Sequence, residues 1–374
     1  MDLKKITVER FKRISNVAID LAPLNILVGA NSSGKSSILQ AIHLSCCMLR
    51  QADKIEPYKT STVVIDELDY LPTESYKQLG YNAAWGNKDG TPSSKVTLGF
   101  EDAAASATAW CELRSARNAG ISVKGSVPGS LTSLLRIKSK FFSAYIPGIS
   151  GIPNREEKKS QKVVQKACSY GDSNVILRNA LLLLKLADPV HIRTIERWLK
   201  DVIGPITIDV SHSEAKDLSI NCGVTIGGQS IPLELLGTGY LQLIQVFAYV
   251  LLFQPKLLLV DEPDIHLHPN VQEKLVRVLM QVAHEQSTKI LITTHSPFIV
   301  RGASLDTQVV WVEDGKVNDT SREATELALG WGAFGKKVLL VSEDTNLSML
   351  KKLLSQWPNI EKFVAVYPGS GYRN

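Results

Sequence analysis

Two stretches far apart in the chain carry side chains whose types and spacing suit phosphate chemistry. Residues 29–37 read Gly29-Ala30-Asn31-Ser32-Ser33-Gly34-Lys35-Ser36-Ser37. This is the G-x-x-x-x-G-K-[ST] pattern, in which glycines let backbone N–H groups close around phosphate oxygens and a following helix adds the positive end of its dipole. Lys35 is expected to reach the β/γ-phosphates, and the Ser36 hydroxyl to ligate Mg²⁺. Downstream, Leu257-Leu258-Leu259-Val260 runs into Asp261-Glu262-Pro263-Asp264-Ile265-His266-Leu267-His268-Pro269. The apolar part reads as a strand buried on both faces. Charge is costly inside such a strand, so Asp261 and Glu262 are expected at its exposed carboxyl end, where open parallel sheets bind ligands.

Two further features belong to the same chemistry. Gly237-Thr238-Gly239 precede the long apolar run from Leu241 to Leu252. A glycine-flanked threonine at a helix N-terminus can present a hydroxyl and free N–H groups to an anion, although threonine is also an ordinary N-cap. Its place shortly before the acidic strand favours the anion-binding reading. Lys289-Ile290-Leu291-Ile292-Thr293-Thr294-His295-Ser296-Pro297 is a second buried strand, and its tip brings His295 to the sheet edge that carries Asp261.

The elements that must position these groups follow from periodicity. Leu24–Val28 reads as a strand feeding the glycine loop, and 38–50 as the helix after it. Lys5–Phe11 alternates apolar and polar residues as a half-buried strand does, with Val17–Leu21 as a hairpin partner. Val271–Ala283 is an amphipathic helix. The middle of the chain, about 51–230, is mixed. Strand candidates there are 62–65, 95–100, 107–111 and 144–146, with a Gly-, Ser- and Asn-rich loop at 114–130. Residues 155–166 are strongly charged and read as a solvated helix face rather than a DNA contact. Helices at 173–187 and 189–202 and strands at 206–211 and 217–226 complete this region. A short helix, a strand at 308–312 and a turn at Asp314-Gly315 follow His295. His43 reads as a packed residue. No heptad pattern and no internal repeat is visible. The sum is an α/β protein with a mixed central sheet.

Composition narrows the setting. The 374 residues are enough for one enlarged α/β domain or two domains, and the 44% hydrophobic content is that of a chain with a sizeable core. The formal charge of +5 permits contact with nucleic acid without arguing for it. Five cysteines without metal-ligand spacing read as reduced thiols in a cytoplasm. No apolar run is long enough to span a membrane, and no signal peptide is visible.

Phosphate loop, signature turn, acidic strand and histidine-tipped strand, in this order, resemble the ATPase head of ABC-type proteins over about residues 1–318. Within that class the chain is similar to the soluble group of RecF, the chromosome-maintenance proteins and the OLD (overcoming lysogenisation defect) family. The opening Ile6-Thr7-Val8-Glu9-Arg10-Phe11-Lys12, the run Asp261 to Pro269 and Thr293 to Pro297 carry that similarity. The resemblance implies ATP and Mg²⁺ as cofactors. Gly29, Asn31, Ser33, Gly34, Lys35, Ser36 and Ser37 would hold the nucleotide. Asp261 would complete the Mg²⁺ shell with Ser36, Glu262 would polarise the attacking water, and His295 would sense the γ-phosphate. Gly237, Thr238 and Gly239 would act as the signature, although they match its Ser-Gly-Gly form only loosely. A glutamine on a lobe-linking loop is also implied, for which Gln78 is the candidate. His266 and His268 read as part of a dimer-facing loop, not as a metal pair. The implied assembly is a head-to-tail homodimer or higher oligomer, each ATP lying between the phosphate loop of one copy and the signature of the other.

The C-terminal stretch separates the relatives. Lys337 to Ser342 reads as a buried strand with Glu343 and Asp344 at its end, followed by a helix and a second strand at 362–367. This looks like the start of a Toprim-like domain, giving an expected division into an ATPase head at 1–325 and an incomplete or degenerate Toprim-like segment at 331–374. A Toprim nuclease usually has Val-Glu-Gly where this chain has Val341-Ser342-Glu343, and no Asp-x-Asp follows before Asn374. Degenerate OLD-like ATPases resemble the ATPase subunit of Septu-type bacterial antiphage systems, which works with a separate HNH nuclease. The expected function is therefore a cytoplasmic ATPase that licenses DNA cleavage by a partner nuclease, with nuclease activity of this chain itself not expected. A RecF-like repair ATPase and an OLD-type ATPase with its own Toprim nuclease are the alternatives.

Overall fold

A computed structural model describes residues 1–51, 55–88, 90–116, 120–137, 140–148, 151–171, 173–304, 306–318, 338–342, 346–357, 360 and 364–368. The chain divides into two compact units, Met1–Asp319 and Thr320–Asn374.

In the first unit, β1 (Asp2–Phe11), β2 (Ile14–Asp20) and β3 (Leu24–Val28) lead into α1 (Lys35–Gln51). Next come β4 (Ser61–Val63), β5 (Ser94–Glu101), β6 (Ser106–Ser115), β7 (Ile121–Ser126), α2 (Gly129–Leu135) and β8 (Ser143–Ile146). A helical stretch follows: α3 (Gln161–Tyr170), α4 (Leu177–Ala187) and α5 (Val190–Ile203). It gives way to a small sheet of β9 (Thr207–Ser211), β10 (Asn221–Ile226) and β11 (Gln229–Pro232). The unit closes with α6 (Thr238–Phe253), β12 (Leu257–Val260), α7 (Pro269–Glu285), β13 (Lys289–Thr294), α8 (Pro297–Gly302), β14 (Thr307–Glu313) and β15 (Lys316–Asn318).

The main sheet has twelve strands in the order β4-β7-β6-β5-β1-β2-β15-β14-β3-β13-β12-β8. Its two halves differ in kind. From β14 to β8 every neighbour is parallel, with β3 between β14 and β13, and β12 between β13 and β8. From β4 to β2 every neighbour is antiparallel. This fits the sequence. The strands β3, β12 and β13 are mostly apolar runs buried on both faces, as parallel strands covered by helices must be. The strands β5, β6 and β7 alternate buried and half-exposed residues, as a sheet with one wet face does. Helix α1 lies between the halves and is buried on nearly all sides from Ile38 to Leu49. Its core contacts therefore fix the phosphate loop at its N-terminus.

The middle of the chain departs from the sequence reading in three places. The expected loop at 114–130 contains β7, because Ile121 and Val123 alternate with the half-exposed Ser122 and Lys124. The candidate strand at 62–65 shortens to β4 and passes into a 3₁₀ turn at Ile65–Glu67. Residues 155–160 lie outside any helix, and Glu156 is buried instead of solvated. Its carboxylate accepts the backbone N–H groups of Arg178 (2.9 Å) and Asn179 (2.8 Å), satisfying the first turn of α4. Among the described residues, no helix is long and apolar enough to cross a membrane.

In the second unit, β16 (Val338–Ser342) and β17 (Val364–Pro368) form a parallel pair, with α9 (Ser348–Leu354) between them in sequence. Glu343 and Asp344, and everything after Pro368, lie outside the described residues.

Candidate active site

The strand β3 ends at Val28, and the chain turns through residues 29–34 into α1. Gly34 takes φ +108°, a conformation that side chains disfavour, and a Cβ there would lie 2.7 Å from Ile14 Cδ1. The turn thus requires the motif's second glycine. Lys35 is buried, and its Nζ donates to the carbonyls of Gly29 (2.8 Å) and Ala30 (2.9 Å). Burial lowers its pKa, while the negative charges of Glu262, Asp261 and Asp264 oppose that fall. In front of the loop opens a cavity of about 630 Å³ lined by Lys12, Arg13, residues 31–37 and Glu262. That is the size range of small-molecule sites.

The acidic tip of β12 closes on this loop. Asp261 Oδ1 accepts from Ser36 Oγ (2.9 Å) and from Thr293 Oγ1 (2.5 Å), and Tyr145 Oη donates to Asp261 Oδ2 at 3.4 Å. Burial raises the Asp261 pKa and the Glu262 charge adds to the rise, whereas the hydrogen bonds from Thr293, Ser36 and Tyr145 favour the carboxylate. Glu262 follows in a left-handed backbone conformation, φ +46°. For a non-glycine residue such strain costs about 1–3 kcal/mol and persists only where the surroundings impose it. Here its N–H donates to Thr293 Oγ1 (2.9 Å), and its carbonyl accepts from Gln242 Nε2 (3.0 Å). His295, exposed at the end of β13, places Nδ1 3.5 Å from Glu262 Oε1.

The phosphate-loop residues Asn31, Ser33, Gly34, Lys35, Ser36 and Ser37 therefore meet Glu262 around one cavity, with Gly29 at its base and Asp261 and His295 alongside. Gly237, Thr238 and Gly239 stand elsewhere, at the start of α6, and do not line that cavity. Gly239 packs on the loop after β12: a Cβ there would lie 2.7 Å from Leu267 Cδ2 and 3.0 Å from the His266 carbonyl. Gln78 is exposed on the 3₁₀ turn Tyr76–Leu79, whose Leu79 carbonyl accepts from the Lys12 N–H (2.8 Å). His268 Nδ1 accepts from the Asn270 N–H (3.4 Å) and caps α7.

Sequence reasoning missed five residues that the fold brings here: Lys12, Arg13, Tyr145, Gln242 and Thr293. Lys12 and Arg13 carry a readable signal, two cations directly after an alternating strand. Lys12 Nζ donates to Gln40 Oε1 (2.6 Å), and Arg13 Nη1 to the Ser32 carbonyl (3.3 Å). The residue set suits a Mg²⁺-bound polyphosphate. Ser36 and Asp261 converge as oxygen donors of the kind Mg²⁺ takes, and the loop's buried Ser33 Oγ has no protein partner among the described residues.

Comparison with known proteins agrees with this geometry. A family model described as an AAA ATPase domain matches residues 1–75 and 142–300, more than half of the chain. Over 45 residues the chain is 49% identical to the DNA replication and repair protein RecF of Acinetobacter baumannii, covering 12% of each protein. The glutamine transport ATP-binding protein GlnQ of Escherichia coli K12 is 25% identical over 132 residues, 34% of this chain and 52% of GlnQ. The match thus spans only an eighth to a half of these relatives' own length. Among solved structures, the Smc head bound to the C-winged helix domain of ScpA aligns with a TM-score of 0.55 at 14% identity, over 87% of this chain and 99% of that one. An Smc head with an extended coiled coil, bound to the C-terminal domain of ScpA from Pyrococcus furiosus, aligns with a TM-score of 0.53 at 13% identity, over 88% and 98%. The fold is that of an ABC-type P-loop ATPase head.

Proposed function

The chain belongs to the AAA ATPase domain family, and from that premise we propose that it binds ATP with Mg²⁺ and hydrolyses it between two copies arranged head to tail. The observation that carries this reading is the junction of Ser36, Asp261 and Glu262 at the mouth of the phosphate loop. Bound Mg²⁺ would neutralise charge on the phosphates. The loop N–H groups and Lys35 bind and orient the polyphosphate, and Ser36 and Asp261 are the residues that would hold the metal. Glu262 takes up the water and orients it for attack in line with the leaving group, and His295 contacts the γ-phosphate. Thr238 and the N–H groups beside it serve the nucleotide of the other copy, because they stand apart from the cavity of their own chain. Gln78 remains the assigned lobe-linking glutamine. The experiment is an ATP titration of Lys35→Ala, which removes the cation that meets the β/γ-phosphates. ATP binding is expected to be abolished, and unchanged affinity would remove the assignment.

We further assign the ATPase to control of a separate nuclease, as a cytoplasmic component of bacterial antiphage defence, with the head at 1–325 and an incomplete or degenerate Toprim-like segment at 331–374. Support comes from the parallel β16–β17 pair with a helix between, the arrangement a Toprim-like start needs. The described strand ends in Ser342 where a nuclease would place its glutamate, and two-metal cleavage needs several carboxylates around ions about 3.5–4 Å apart. The chain alone is therefore expected to leave plasmid DNA intact with Mg²⁺ or Mn²⁺, with and without ATP. Cleavage that disappears in Glu343→Ala or Asp344→Ala restores the self-contained nuclease.

A further inference from the structure

We propose that Gln242 is a positioning residue that ties the catalytic-loop backbone at Glu262 to the helix beginning at Thr238. The inference rests on the reading of Glu262 as the residue that orients water. The left-handed conformation of Glu262 aims its carboxylate into the cavity and needs a clamp. Two tertiary side chains supply it. Thr293, on β13, accepts the Glu262 N–H (2.9 Å), and Gln242, on α6, donates to the Glu262 carbonyl (3.0 Å). The Ile265 N–H also reaches that carbonyl (3.3 Å), but from within the same loop.

Gln242 gains nothing by being polar for the sake of packing. It is fully buried, and its Oε1 has no partner among the described residues, an arrangement that costs stability relative to an apolar side chain of the same shape. What the amide provides is the one N–H bond to Glu262. Gln242 also stands one helical turn after Thr238, on the same side of α6. Gly239 packs directly against His266 and Leu267 of the same loop. Gln242 thus anchors the backbone that aims Glu262 to the first turns of α6.

The test compares the full chain with Gln242→Met and Glu262→Gln, measuring labelled-ATP affinity in Mg²⁺, steady-state kcat and KM, and thermal unfolding. Gln242→Met keeps the shape and removes both the donor and the orphaned acceptor. It is expected to unfold at the parental temperature or above and to bind ATP within about twofold. Its kcat should fall on the order of ten- to a hundredfold with KM little changed, the loss a small misplacement of a reacting group produces. Parental turnover in Gln242→Met beside slow turnover in Glu262→Gln overturns the inference and leaves the role of Glu262 standing. Parental turnover in Glu262→Gln removes that role, and this inference with it. Parallel losses of unfolding temperature, ATP affinity and kcat in Gln242→Met show a merely structural residue and also overturn it. If the methionine variant does not fold, Gln242→Leu, which also removes the donor without introducing a charge, takes its place. The same fall in kcat is expected there, and parental turnover again counts against the proposal.

Discussion

Thr293 serves two masters in the centre of this site: one hydroxyl accepts the Glu262 N–H and donates to Asp261 Oδ1. That single atom links the residue that would hold metal to the residue that would orient water. It is aided by Tyr145, which comes from β8 and reaches the other Asp261 oxygen. At this scale the sequence is uneven. Lys35, Ser36, Asp261, Glu262 and His295 were legible because each sits in a short contiguous motif whose backbone geometry is local. Tyr145 and Gln242 were not. One lies in a strand reading Ser143-Ala144-Tyr145-Ile146 and the other in a predominantly apolar helix, and neither pattern marks a polar side chain as functional. They become visible only when β8 is paired beside β12 and α6 is laid over the loop that follows it.

Elements carry a different kind of information. The parallel strands β3, β12 and β13 announced themselves as buried runs, β3 leading into the glycine loop and β12 and β13 into polar tips, and their shared sheet edge followed from that. The antiparallel half was harder, since β7 is short, half polar and preceded by Gly120, so local composition resembled a loop until pairing with β6 supplied its partner face. The helical stretch is joined to the parallel half by a contact with no sequence signature. On α5, Arg197 makes a two-pronged ion pair with Glu285 of α7 (2.9 and 2.6 Å), and the fully buried Trp198 donates its indole N–H to the same carboxylate (3.0 Å). The Arg197 hydrogen bonds, with help from Gln281 and Trp198, hold the Glu285 pKa down at about 2 against the opposing effect of burial. The folded protein therefore binds fewer protons at this site than the unfolded chain. The stabilisation is complete above about pH 4.5 and is lost as pH falls from there toward 2. Glu285→Gln is expected to lower unfolding free energy at pH 7 by about 1–2 kcal/mol, a figure kept small because both partners are partly solvated. The deficit should shrink when urea unfolding is repeated near pH 3.5. A deficit that does not change with pH assigns the effect to packing rather than to the charge.

At the scale of the whole ATPase unit, Met1–Asp319, the decisive fact is the separation between the phosphate loop and the signature. The phosphate loop leaves β3, the acidic tip leaves β12, and β13 between them fixes their spacing. The helix carrying Thr238 is seated on the loop after β12 through Gly239, so it cannot swing round to its own cavity without breaking that contact. A second copy would complete the site without any such rearrangement, and a head-to-tail pair of heads would close two sites at once. This geometry makes a complementation test sharp. Lys35→Ala disables the phosphate loop of its chain, while Thr238→Glu repels phosphate from the signature of its chain. Each variant alone should hydrolyse no ATP, although each folds as the parent does by thermal unfolding. In the mixed pair, one site combines both defects, and because Lys35→Ala holds no nucleotide there, the glutamate meets no phosphate. The other site is built from an intact loop and an intact signature. With random pairing, half of the dimers are mixed and each has one of two sites intact, so an equimolar mixture should recover about a quarter of parental hydrolysis. A mixture that stays inactive, although sedimentation shows that the variants associate, means that each chain completes its own site. The head-to-tail arrangement would then be wrong.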